Sequence, residues 1–196
     1  SPFRPFKLIG DRVYGLFGPL QVSSQLNSLH NMRNPNKVEA YAAQCQVLSS
    51  QREIFDTSEL DQLLQHKPVE FGQNESVIHF DRLTRTVHML NYLPYSHEAG
   101  LLFLDVDPRH ILGVKTDHGA YFEEIIKRCG LDTHQIVITL SIHGVYSRFY
   151  QTLLKGLNNY QQRGYKIAIK LDYAGIEKLS LEFIERSGAD FIGFSA

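Results

Sequence analysis

The chain has little net charge, few cysteines and no long apolar run, and each shortage closes off a class of function. Lysine and arginine number 20 against 21 aspartates and glutamates, a formal net charge of -1. No whole-chain field therefore draws it to nucleic acid or to an anionic membrane. Two cysteines occur in 196 residues, Cys45 and Cys129. They fit no metal spacing and read as free thiols in a reducing cytoplasm. No apolar run approaches the ~20 residues that span a bilayer, and no signal-peptide pattern is visible in these residues. We therefore expect a cytoplasmic protein with no transmembrane segment in this chain and no nucleic-acid partner. Walker, GxGxxG, HExxH and GxSxG signatures are also missing. The nine histidines are scattered and read as surface or hydrogen-bonded side chains rather than as a metal site. His110 and His118 are expected on loops.

What is present is a rhythm in the second half. Short apolar runs at Leu101–Val106, Gln135–Ser141, Lys166–Leu171 and Phe191–Phe194 suit strands buried on both faces, the parallel-sheet pattern. Between them, apolar residues recur at helical spacing. Phe122, Ile125, Ile126 and Cys129 share a face, with Gly130 as the stop. Phe149, Leu153, Leu154, Leu157 and Tyr160 share another, stopped by Gly164. Ile176, Leu179, Phe183 and Ile184 share a third, stopped by Gly188. Strand, helix and glycine stop at ~25–35-residue spacing predict βαβ units. A further helix is predicted over 76–93, ending before Pro94.

The first hundred residues are less regular. The spacing predicts a hairpin of residues 3–9 and 12–22 about Gly10-Asp11, an exposed polar loop over 23–36, and a helix over 37–49. Ser1 in place of methionine, and a strand-like run ending just before Ala196, lead us to expect a single domain over 1–196 that is part of a longer multidomain protein. Among polar strand ends, Asp105 and Asp107 flank Val106. Alternation would put both carboxylates on one side, where they could bind a divalent cation or serve separately as a turn cap and a solvated acid.

Five segments, in chain order, resemble the EAL family of cyclic di-GMP phosphodiesterases. Phe3-Arg4-Pro5-Phe6 is similar to the family's opening Y-Q-P-I. Val13 to Val22 falls where V-x-G-x-E-A-L-x-R would be. Leu102-Phe103-Leu104-Asp105-Val106-Asp107-Pro108-Arg109 resembles L-x-[IV]-N-[IVL]-S-P-x. Gly164 to Gly175 resembles G-x-x-[IL]-A-[IL]-D-D-F-G-x-G, and Asp190 to Phe194 falls where D-x-[IV]-K-[IL]-D would be. The resemblance implies an α/β fold, a TIM-like βα barrel of EAL type, here with an N-terminal antiparallel hairpin and ending after about the sixth strand.

The departures carry the functional expectation. The family's signature glutamate falls at Phe17 and its phosphate-contacting arginine at Gln21. The metal-binding asparagine falls at Asp105, the next strand's glutamate at Thr139, the tandem aspartates at Lys170 and Leu171, and the catalytic lysine at Gly193. Only Asp105 keeps the character of a metal ligand, and Asp172 would restore a second carboxylate only through a register slip. Two-metal phosphodiester hydrolysis needs several anionic ligands. The resemblance therefore implies a catalytically inactive signalling domain with no cofactor, in which Lys170 pairs with Asp105. Such a domain would act as a protein-interaction module or a cyclic di-GMP receptor, joined to sensory or GGDEF modules. Gln21, Asp105, Arg109 and Asp172 are the candidate ligand contacts, with Arg148 a further anion contact. The alternative is residual Mg²⁺- or Mn²⁺-dependent phosphodiesterase activity.

Overall fold

The computed structural model describes residues 5–48, 75–172 and 178–195. The chain divides into two units, Ser1–His66 with His79–Leu104, and Lys67–Ile78 with Asp105–Ala196.

The first unit is built on antiparallel strands. β1 (Phe6–Ile9) pairs with β2 (Arg12–Phe17), β2 with β3 (Leu20–Asn31), and β3 with β4 (Asn34–Leu48). β5 (Leu101–Asp105) then runs parallel to β4, with Ala40 opposite Leu101 and Tyr41 opposite Leu102. The expected Gly10-Asp11 turn is present, with Gly10 at φ +60°. The expected strand over 12–22 is instead two strands. Gly18, at φ +56°, and Pro19, which lacks an N–H, turn the chain between β2 and β3. Of the family-like opening, Phe3 and Arg4 lie outside the described residues.

The predicted loop over 23–36 and helix over 37–49 are both replaced by the β3–β4 hairpin; Ser49 lies outside the described residues. Val22 pairs with Val47, and Leu26 with Ala43. Its base is buried at Val22, Ser23, Ser24, Ala43 and Val47, while residues 28–37 are exposed. A cross-strand ladder satisfies backbone N–H and C=O groups whatever the side chains are. Polar residues can therefore extend a strand that sequence periodicity does not announce.

α1 (Glu75–Tyr92) ends as predicted, and a 3₁₀ turn at Leu93–Tyr95 takes up Pro94. Val87, Met89 and Tyr92 are fully buried. Gly15 of β2 lies beneath this helix. A Cβ there would meet Val87 Cγ2 at 2.8 Å and Leu83 Cδ1 at 3.0 Å, so the close approach requires glycine.

The second unit follows the predicted βα rhythm. β6 (Ile136–Ile142), β7 (Lys166–Asp172) and β8 (Phe191–Ser195) are parallel, with Thr139 opposite Ala168 and Lys170 opposite Gly193. The helices are α2 (Pro108–Gly113), α3 (Ala120–Arg128), α4 (Tyr150–Gln162) and α5 (Lys178–Ser187). Gly130, Gly164 and Gly188 all have positive φ just past helix ends, as their spacing predicts. The predicted start of the last helix, Ile176, lies outside the described residues. Ile138, Leu140, Ile167 and Ile169 form the buried sheet layer, and Phe122, Ile126, Leu157 and Phe183 are buried on the helices. α2 has no periodic signal in the sequence; Asp107 and Pro108 start it as cap and first residue. His110 therefore sits buried on a helix, not on a loop. Among the described residues no helix is long and apolar enough to cross a membrane.

Candidate functional site

Strand alternation decides what gathers at the C-terminal ends of the parallel strands. In β6, Thr139 and Ser141 share a face. In β7, Ala168 and Lys170 share one, and the parallel register sets Ser141 and Gly193 on either side of Lys170. Lys170 Nζ lies 3.5 Å from Asp105 Oδ1, so the expected pair is made. Leu171 points to the opposite face and is 4% exposed. The two positions of the family's tandem aspartates are thus occupied by a cation on one face and a buried apolar side chain on the other. Asp172 has its backbone in β7, opposite Ser195; its side chain lies outside the described residues.

The Lys170–Asp105 pair is open, with side chains 43% and 64% exposed. Burial nevertheless raises the Asp105 carboxyl above its ordinary value, and this outweighs the opposing pull of the Lys170 ammonium. A carboxylate with water on one side and dense protein on the others meets both observations. At 3.5 Å between exposed groups the ion pair is a loose one.

Deeper on the same face, Thr139 is 2% exposed and its hydroxyl has no hydrogen-bond partner among the described residues. Its carbonyl accepts from Val106 N at 2.9 Å, which ties the chain just past β5 to β6. Gly193 lies beside Lys170: an added Cβ would stand in ordinary van der Waals contact with Lys170 Cγ, at 3.8 Å. Ser141 ends an apolar run that carries no site signal in the sequence; only the register shows it level with Lys170.

Asp105 and Asp107 do not share a strand face. β5 ends at Asp105, and Asp107 caps α2 by accepting from Arg109 N at 2.9 Å. Its carboxylate also takes both guanidinium contacts of Arg109, at 2.9 Å from Nε and 2.5 Å from Nη2. Arg109 is thereby held against Asp107 at the helix start. Arg148 is exposed in the 3₁₀ turn Gly144–Phe149, with its guanidinium carbon 4.9 Å from the centroid of the Phe149 ring. Asp190, part of the family-like segment, binds the neighbouring strand. Its Oδ2 accepts from Ile167 N, and its own N–H donates to Ile167 O.

Phe17 and Gln21 belong to the first unit. Phe17 closes β2 and packs edge-on against Phe80, with ring centroids 5.3 Å apart. Gln21 pairs with Leu16 on one side and Leu48 on the other. Among the described residues no three His, Cys, Asp or Glu side chains gather as a metal-binding group. Cys45 and Cys129 form no disulfide.

No family model matches the chain, and no curated protein matches it. Solved structures do. The EAL enzyme Bd1971 in its cAMP-bound form has a TM-score of 0.63 at 14% identity, over 87% of this chain and 46% of its own. BlrP1 of Klebsiella pneumoniae, in a manganese and cyclic di-GMP complex, has a TM-score of 0.58 at 18% identity, over 89% and 44%. The Bacillus subtilis YkuI protein, with an EAL domain and in complex with substrate cyclic di-GMP and calcium, has a TM-score of 0.56 at 17% identity, over 88% and 53%. The chain spans about half the length of these proteins. The likeness at such low identity is one of fold: this is an α/β chain with the strand and helix order of the EAL-type βα barrel.

Proposed function

We propose that this chain is an EAL-type domain of cyclic di-GMP signalling that has lost phosphodiester hydrolysis. The observation that carries the reading is Lys170 Nζ, 3.5 Å from Asp105 Oδ1. An ammonium stands beside Asp105, the one acid at a metal-ligand position. The donor set does not fit a hard divalent cation, which takes several oxygen ligands. Leu171 and Thr139 supply no carboxylate at the matching positions, Phe17 supplies none where the signature glutamate would fall, and Gly193 supplies no amine where the catalytic lysine would fall. Without a metal-activated water, the usual route to phosphodiester cleavage is closed.

Of the two roles left, a regulatory surface for a protein partner is favoured over a cyclic di-GMP receptor. Gln21 replaces the phosphate-contacting arginine, and Arg109 is committed to Asp107. A neighbouring sensory or GGDEF domain is the partner the resemblance points to, in a cytoplasmic setting. The EAL proteins similar in fold include two in complex with cyclic di-GMP, which keeps the receptor role as the second reading.

Calorimetric titration with cyclic di-GMP, with and without Mg²⁺ or Mn²⁺, separates these roles. No heat, or heat independent of metal, is expected; the first selects the partner-binding role and the second the receptor. Binding that requires the metal contradicts the reading. Lys170→Asp is expected to create tight Mg²⁺ or Mn²⁺ binding with folding unchanged, and an unaltered metal affinity counts against Lys170 as the group that fills the cation position.

A further inference from the structure

A cavity of about 670 Å³ opens in the first unit at the Arg12 end of β2, the end opposite Phe17. It is therefore distinct from the strand end where the family-like signature falls, and it is within the size range of small-molecule sites. One wall is rigid. The Asn91 amide nitrogen donates to Val13 O at 3.0 Å and to Ser24 Oγ at 3.1 Å, and its oxygen accepts from Val13 N at 2.8 Å. Ser24 Oγ is also 2.5 Å from His88 Nδ1. Ser24 and Asn91 are 4% and 9% exposed, so their polar atoms are spent inside the protein. They fix the wall rather than grip a ligand.

A second wall is aromatic. The Tyr41 and Tyr95 rings have centroids 5.4 Å apart at 48°. Burial, with Glu98 and Tyr95 adding to it, pushes the Tyr41 phenol up, so its hydroxyl stays a donor. Asp11 and Arg12 lie at the β1–β2 turn and also line the cavity; both are exposed. Among the described residues Arg12 has no ion-pair partner.

We infer that this cavity binds a flat aromatic ring carrying one anionic group, of mononucleotide size. The ring lies against Tyr41 and Tyr95, the anion meets Arg12, and Asp11 accepts from a ring N–H. Stacking on aromatic side chains tolerates different bases, while the guanidinium supplies the charge selection.

The test uses the full chain and three probes: GMP, guanosine and ribose 5-phosphate. Calorimetry gives the dissociation constants, and amide shifts give the location. GMP is expected to bind at least about tenfold more tightly than either fragment, with shifts clustered around Arg12, Tyr41 and Tyr95. Arg12→Gln should abolish the difference between GMP and guanosine. Tyr95→Ala should weaken both by about tenfold. Tyr95 is 43% exposed and Arg12 is exposed, so neither change should disturb folding, which circular dichroism checks. The inference is overturned if none of the probes saturates, if GMP binds no better than guanosine, or if the shifts centre on Lys170 instead.

Discussion

Two polar clusters, one in each unit, are built on opposite principles. Ser24, His88 and Asn91 in the first unit are buried and bonded to one another and to the Val13 backbone. Lys170 and Asp105 in the second unit are open to water and meet at 3.5 Å. A buried cluster must be complete, because an orphaned polar group there loses water without replacement. An exposed ion pair has water as a ready substitute and contributes little. The first cluster therefore belongs to folding, and the second is free to be changed by function. That freedom is what allows a lysine to stand where the resembled EAL motif has an aspartate.

The comparison can be broken most forcefully at Asn91. Asn91→Leu orphans Val13 N–H and Val13 C=O together, and we expect a loss of roughly 3 kcal/mol in urea denaturation. A loss below that of a surface change would mean the cluster is not structural. His88 gives the next effect. Burial lowers its pKa to about 4, against about 6.5 in the unfolded chain. Below the unfolded value the unfolded state binds a proton that the folded state refuses. Stability should therefore fall as pH drops from about 6.5 to about 4, by about 3 kcal/mol, and His88→Gln should flatten that part of the profile. Gly15→Ala should cost roughly 1–3 kcal/mol through overpacking against Val87 and Leu83, seen as a lower denaturation midpoint at unchanged slope. Asp105→Asn should change stability by less than about 1 kcal/mol. A large loss there would erase the contrast between the clusters.

The same contrast explains what could be read from the sequence. The βα half was legible because its strands are continuous apolar runs and its helices stop at Gly130, Gly164 and Gly188. The β3–β4 hairpin was not, because its outer half is exposed on both faces, with Leu29 and Met32 open to water, and its stability lies in a non-local backbone ladder. Val38, Tyr41, Ala42, Cys45 and Leu48 recur at helical spacing, yet the chain there is extended. At the site, Lys170 and Asp105 were legible because a strand motif fixes their register. Asp107 as helix cap was one of two open readings, and α2 itself had no periodic signal. Ser24, His88 and Asn91 were illegible as a group. His88 and Asn91 lie 64 and 67 residues beyond Ser24 in the chain, and only folding brings them together.

The most direct test of the proposed loss of hydrolysis is a product assay on the full chain with cyclic di-GMP and saturating Mn²⁺. With Lys170 beside Asp105 and no second carboxylate at the matching positions, no linear dinucleotide should form above the metal-only control. Metal-dependent formation of that product, abolished by Asp105→Asn, would contradict it.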